Sequence, residues 1–196
     1  MRVSENRKIA LTISLLLAAL MAATRFHPIG SAVGLHDASL AVFFLSGLYL
    51  RSIFFPLFLA EATLIDHVVT VGGGDAWCIT PAYLFLVPTY ATLWGAGRWY
   101  ARRHRSAAWT LMPLSLALFV GASAAFLISN AGFYLFSGYF GEMGFGPYAA
   151  AVAKYYPPYV VHAFFYVATA VCLHRLVGAI GRSKRLIVPT LPGGSQ

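Results

Sequence analysis

Charge is what this sequence has least of. Only 10% of its 196 residues are Asp, Glu, Lys or Arg, against about 25% in a soluble domain. Cysteine is scarce as well: two residues, Cys78 and Cys172, too few for a disulfide framework. No His-x-x-x-His or Cys-x-x-Cys pair occurs, so the usual helical and knuckle zinc signatures are absent. The triplet Gly72 to Gly74 is not followed by Gly-Lys-Ser/Thr, which excludes a phosphate loop and leaves flexible loop backbone. Heptads, soluble-type repeats and low-complexity tracts are missing too.

Apolar residues fill the space. They make up 59% of the chain, with a mean hydropathy of +0.72, and they fall in runs suited to a bilayer. The runs are Ile9 to Thr24, Ala38 to Leu50, Ile53 to Val71, Ile79 to Gly97, Trp109 to Ser129 and Pro157 to Val177. The first follows Arg2, Arg7 and Lys8 and resembles a signal peptide; the later runs favour a retained first helix. The second is short, so its helix is expected to begin in the preceding segment or to sit partly in the interface. The expected fold is an all-α membrane protein of about six transmembrane helices. Residues 1–188 are expected to form one integral membrane domain, and 189–196 a polar, disordered tail.

The formal net charge is +8, and basic residues of a membrane protein mark its cytoplasmic loops. With the N-terminus inside, inner segments hold Arg2, Arg7, Lys8, Arg51, Arg98, Arg102, Arg103, Arg105, Arg175, Arg182, Lys184 and Arg185. That is 12 of the 14 basic residues, and only Arg25 and Lys154 fall outside. Shifting the span count by one destroys the asymmetry, so both termini are expected in the cytoplasm. Nucleic acid is excluded as a partner, because no separate domain presents the basic groups.

This topology gathers the unusual residues at the outer face. The first outer loop, "RFHPIGSAVGLHDAS", carries Arg25, His27, His36 and Asp37. The third run ends "EATLIDHVV", which sets Asp66 and His67 about one turn below the surface. Cys78, in "GGGDAWCITPAY", stands at the outer mouth of the fourth run, near Tyr83 by helical spacing. Cys172 belongs toward the inner end of the sixth, a membrane away and far beyond the roughly 6 Å between Cα atoms that a disulfide spans. Cys78 is therefore a free thiol on the oxidising side, whereas an apolar helix buries Cys172 without further reason. The last outer loop, "SNAGFYLFSGYFGEMGFGPYAAAVAKYYPPY", is long, glycine-rich and aromatic. It suits a cap with short helical pieces over a ring-shaped ligand.

Ionisable groups within a bilayer cost about 2.5–3.5 kcal/mol on insertion scales. Glu61, near mid-depth, is equally well read as a packing residue or a functional one; Asp66 shares a layer with Cys78 and Tyr83 and favours function. His27, His36, Asp37 and His67 come from separate segments, and interfacial hydrogen bonding suits them better than a protein-held metal.

A six-helix protein of this size with a pocket at its outer face resembles the S components of energy-coupling-factor vitamin transporters. More closely, "HDASLAVFFLSGLYLRS", "GGGDAWCITPAYLFLVPTYATLWGAGRWYARR" and "SNAGFYLFSGYF" resemble the BtuM-type solitary, cobalamin-specific members, over about His27 to Tyr159. The resemblance implies uptake of cobalamin or its precursor cobinamide across a bacterial inner membrane, with no intrinsic cofactor. It implies Cys78 as an axial ligand of the corrin cobalt. A thiolate is a strong, soft donor that a metal keeps deprotonated, and it would labilise a cyanide on the opposite face. Asp66 and Tyr83 would position the thiol or bond corrin amides, with His27 and His36 beside them; Asn130, Phe133 and Tyr134 would pack over the ring edge. A small-residue face, Ala18, Ala19, Ala22 and Ala23, matches the spacing used to dock an energising membrane subunit, although ordinary packing explains it better. Two other classes stay open: a membrane-embedded enzyme with Cys78 as nucleophile and His27, His36 or His67 as base, and a sensor or interaction module.

Overall fold

A computed structural model describes residues 2–25, 36–72, 80–103 and 111–187. Cys78, His27 and the tail 189–196 lie outside the described residues. Among those described the secondary structure is entirely helical. α1 spans Arg2–Arg25, α2 Ser39–Tyr49, α3 Phe54–Val71, α4 Leu86–Arg103, α5 Leu111–Phe136, α6 Phe145–Ala153 and α7 Tyr156–Ile187; a 3-10 turn, Pro81–Phe85, leads into α4.

Apart from the short α6, the helices alternate in direction. The Ala38 N–H at the start of α2 donates to Thr24 Oγ1 at the end of α1, at 3.1 Å. Arg25, closing α1, meets Asp66 near the end of α3 and Tyr90 near the start of α4. Tyr166 of α7 donates to the His36 carbonyl, ahead of α2, at 2.6 Å. One end of the bundle, here called distal, therefore collects the finishes of α1, α3 and α5 and the starts of α2, α4 and α7. Arg7, Lys8, Arg51, Arg102 and Arg103 belong to the opposite, proximal end.

The packing is inverted relative to a soluble protein. The longest apolar helices turn much of their surface outward: Leu15, Leu16, Leu64, Met112, Leu127 and Val177 are all exposed, Met112 at 84%. Four helices are long and apolar enough to cross a bilayer, at Arg7–Arg25, Phe54–Val71, Leu111–Phe136 and Tyr156–Ala179. An apolar exterior of this kind is compatible with a multi-pass membrane protein, because lipid tails replace water against it. Among the α1 side chains described, the buried ones form the stripe Ser14, Leu17, Met21 and Thr24, spaced three and four apart as one helix face demands.

The centre belongs to α2, which has eight buried residues, from Ser39 to Gly47. Eleven residues rise about 16 Å, half a hydrocarbon core. The expected earlier start does not occur among the described residues: 36–38 are coil, and Leu50 leaves the helix in an extended conformation. α2 lies parallel to α4. Phe43 stacks on Tyr90 with ring centroids 4.1 Å apart near one end of the pair, and Arg98 donates to the Leu50 carbonyl at 3.2 Å near the other.

Glycine permits this contact. A Cβ on Gly47 would strike the Trp94 carbonyl oxygen, and a Cβ on Gly97 would strike that of Phe44. In a bilayer, helices associate without a hydrophobic driving force, and close backbone approach through small residues such as these is what supplies the attraction there.

Candidate functional site

The distal end holds a polar network built on Arg25. Its guanidinium binds Asp66 through Nε to Oδ1 and Nη2 to Oδ2, both at 2.6 Å. Nη1 donates to Tyr90 Oη at 2.7 Å and Ser39 Oγ at 2.9 Å, and reaches Asp37 Oδ2 at only 3.4 Å. The Tyr83 hydroxyl donates to Asp66 Oδ2 at 2.8 Å. Arg25 and Asp66 expose 11% and 18% of their side chains, a burial at which bidentate pairing is needed to offset desolvation. The network ties α1, α2, α3, the 3-10 turn and α4 together at one level.

Beside it opens a cavity of about 350 Å³. Its walls come from the coil ahead of α2 (His36, Asp37), from α4 (Thr89, Tyr90) and from α7 (Tyr159, His162), with Ser129 of α5. His36 and His162 stack face to face, centroids 3.8 Å apart and planes 22° from parallel. Asp37 Oδ1 accepts from the Ser39 N–H and Oγ, at 2.9 and 2.6 Å; its side chain is 49% exposed.

A second distal feature is aromatic. α5 continues through "SNAGFYLF" to Phe136, seven residues past the expected end at Ser129, and so carries Asn130, Phe133 and Tyr134 on a helix. Tyr148 of α6 donates to the Asn130 carbonyl at 3.0 Å and packs 4.8 Å from both Tyr134 and Phe140; Phe133 meets Phe140 at 5.6 Å. Burial pushes the Tyr148 phenol above its usual range. α6 is the short helical piece foreseen in the last loop.

The structure thus brings Asp66, Tyr83, Asp37 and His36 to one end of the bundle, joined by contacts from α1 to α7. Asp66 and Tyr83 are engaged with Arg25 and with each other, and neither lines the cavity. Asn130, Phe133 and Tyr134 form the neighbouring aromatic cluster instead. His67 is exposed and Glu61 half-buried on α3. Thr80 is extended (φ −121°, ψ 168°) and Tyr83 lies in the 3-10 turn, so helical spacing does not relate Tyr83 to Cys78 as the sequence reading assumed. Ala19 is exposed while Ala18, Ala22 and Ala23 are half-buried. Among the described residues no group of three or more His, Cys, Asp or Glu is arranged to hold a metal ion. Cys172, expected to be buried in its apolar helix, is instead a free, exposed thiol on α7, on a helix that turns most of its surface outward.

The sequence reading passed over Arg25, Ser39, Tyr90, Tyr159 and His162 as site residues. Arg25 did carry a signal, as one of two basic residues assigned to the outer side. The others are ordinary residues of apolar helices, and only the packing distinguishes them. Comparison of the chain with protein families and with curated proteins finds no match.

Proposed function

We propose that the protein is a multi-pass carrier of a bacterial inner membrane that takes up cobalamin or a related corrinoid. The chain would cross the membrane about six times, as an S-component-like bundle with both termini in the cytoplasm and the distal end outside. The observation that carries this reading is the distal cavity, open beside a fixed polar network and flanked by an aromatic cluster. The segment bearing Cys78 joins Gly72, just past α3, to Thr80, just before the 3-10 turn, and both of these elements hold on to the network through Asp66 and Tyr83. A ligand at this end is thus within the neighbourhood to which chain connectivity confines the thiol.

The roles divide. Cys78 thiolate occupies one axial face of the cobalt, and a cyanide on the other face is labilised. Arg25, Asp66 and Tyr83 fix the helix ends that carry the loops. The cavity, at the small end of the usual 300–1,000 Å³ for ligand sites, takes part of the corrinoid, and the ring edge rests toward Phe133 and Tyr134. Excess positive charge in the inner segments supports the orientation. Any docking of an energising subunit falls to the outward part of α1 around Ala19.

The test is an absorption titration of the purified protein with cobalamin and with cobinamide. The parent should shift the corrin bands, and Cys78→Ala should not. Identical spectra for the two proteins would remove thiolate ligation from the account.

A further inference from the structure

We propose that the distal cavity is an organic-cation site, with Asp37 supplying the charge and the ring of Tyr159 a π face. The inference rests on the cavity being the place where cargo binds, and it does not require that cargo to be a corrinoid.

The charge balance carries it. Among the described residues three formally charged side chains meet at the distal network: Arg25 from α1, Asp37 before α2 and Asp66 from α3. Their formal sum is one positive against two negative. Arg25 is spent on Asp66, which takes its Nε and Nη2 at 2.6 Å, while its remaining nitrogen serves Tyr90 and Ser39. Asp37 is left with a 3.4 Å contact on Oδ2, half-exposed and lining the cavity. None of the other described residues in the wall is Lys or Arg.

The surroundings suit a large cation better than a small hydrated one. Tyr159, His36 and His162 line the same space as Asp37, and an aromatic face attracts a weakly hydrated cation through the ring quadrupole. Tyr90 is already engaged, stacked on Phe43 with the Arg25 guanidinium over its ring at 5.9 Å, whereas Tyr159 is fixed by an edge contact with Phe126 at 5.3 Å. A hard metal ion would want several oxygen ligands, and the one carboxylate among the described residues of this wall, already bonded to Ser39 through Oδ1, does not provide them. A quaternary ammonium is one such cation; a cobalt(III) corrin core, with a single negative charge on its ring, is another.

The full chain in detergent is titrated by calorimetry with choline and with its neutral isostere 3,3-dimethylbutan-1-ol. In parallel, Cys78→Ala is titrated with diaquocobinamide and dicyanocobinamide, which share a ring and differ in charge. The cation should bind at least about tenfold tighter than its neutral counterpart in one pair or both, and the pair that discriminates identifies the source. Asp37→Asn keeps an oxygen for the Ser39 contacts and should abolish the discrimination. Tyr159→Leu, which leaves every charge in place, should weaken the cation severalfold. Equal affinity within both pairs, or discrimination that survives Asp37→Asn, overturns the proposal. The corrin band shift of the parent is read separately, so loss of charge selectivity with that shift intact sinks this inference alone.

Discussion

Replacing Arg25 by methionine tests the reasoning about the distal network most sharply. The side chain is 11% exposed, and its main partner Asp66 is 18% exposed. Without the guanidinium, Asp66 retains one donor, the Tyr83 hydroxyl, and its charge has no partner. Removing one member of a buried ion pair costs about 3–5 kcal/mol, since the other charge stays desolvated. The residual access of water to Asp66 puts Arg25→Met near the lower end, about 3 kcal/mol. For a chain of this length that corresponds to a fall in Tm of about 6–12 °C. Removing both charges in Arg25→Met/Asp66→Leu should recover about 1–2 kcal/mol of the loss, leaving mainly the cost of the Tyr90 and Tyr83 hydroxyls, which lose Arg25 and Asp66 as partners, about 1–2 kcal/mol. Thermal unfolding in detergent across the four proteins of the cycle gives the coupling directly. A loss below about 1 kcal/mol for Arg25→Met, or a double variant as unstable as the sum of the singles, would refute the claim that this pair is buried and interdependent.

Other expectations follow from the packing. Gly97→Ala places a methyl group on the Phe44 carbonyl and should cost about 1–3 kcal/mol, whereas Gly95→Ala, two residues away with nothing within 4 Å, should be neutral or stabilising by up to about 1 kcal/mol; equal Tm values for the two would contradict the parallel α2–α4 contact. Phe43→Ala empties a site that is 0% exposed and should cost about 3–5 kcal/mol, again read by thermal unfolding. A membrane-impermeant maleimide applied from outside should label Cys78 and leave Cys172 unmodified in intact cells; labelling of both, or only of Cys172, would invalidate the orientation.

The helices were legible where the apolar period was long. α1 and α3 fall within one or two residues of their runs, apart from the charged start of α1, which the hydropathy run omits. α4 was harder, for two reasons. Pro81 and Pro88 shape its entry, so a 3-10 turn precedes the helix proper, and the basic residues to Arg103 extend it beyond Gly97, since cations suit a helix C-terminus. α5 runs past Ser129 because Asn130 and Gly132 act in packing, not as a turn: Gly132 lies directly against the Phe85 ring. The layer of Asp66, Tyr83, His36 and Asp37, which falls at the distal end, could be placed by depth alone. Their partners could not, because Arg25 pairs with Asp66 across 41 positions and Tyr166 with His36 across 130. Periodicity sets the face of a helix, and such pairings depend on which faces meet.

The central claim concerns a sulfur atom and a metal that arrives with the cargo, and spectroscopy addresses it without intermediaries. Cobalamin is added to the purified protein and to its Cys78→Ala variant, and the visible bands of the corrin ring are followed to saturation. Cobalt–thiolate bonding predicts a saturable displacement of those bands in the parent alone, whereas superimposable titrations, or bands that never move, would contradict it.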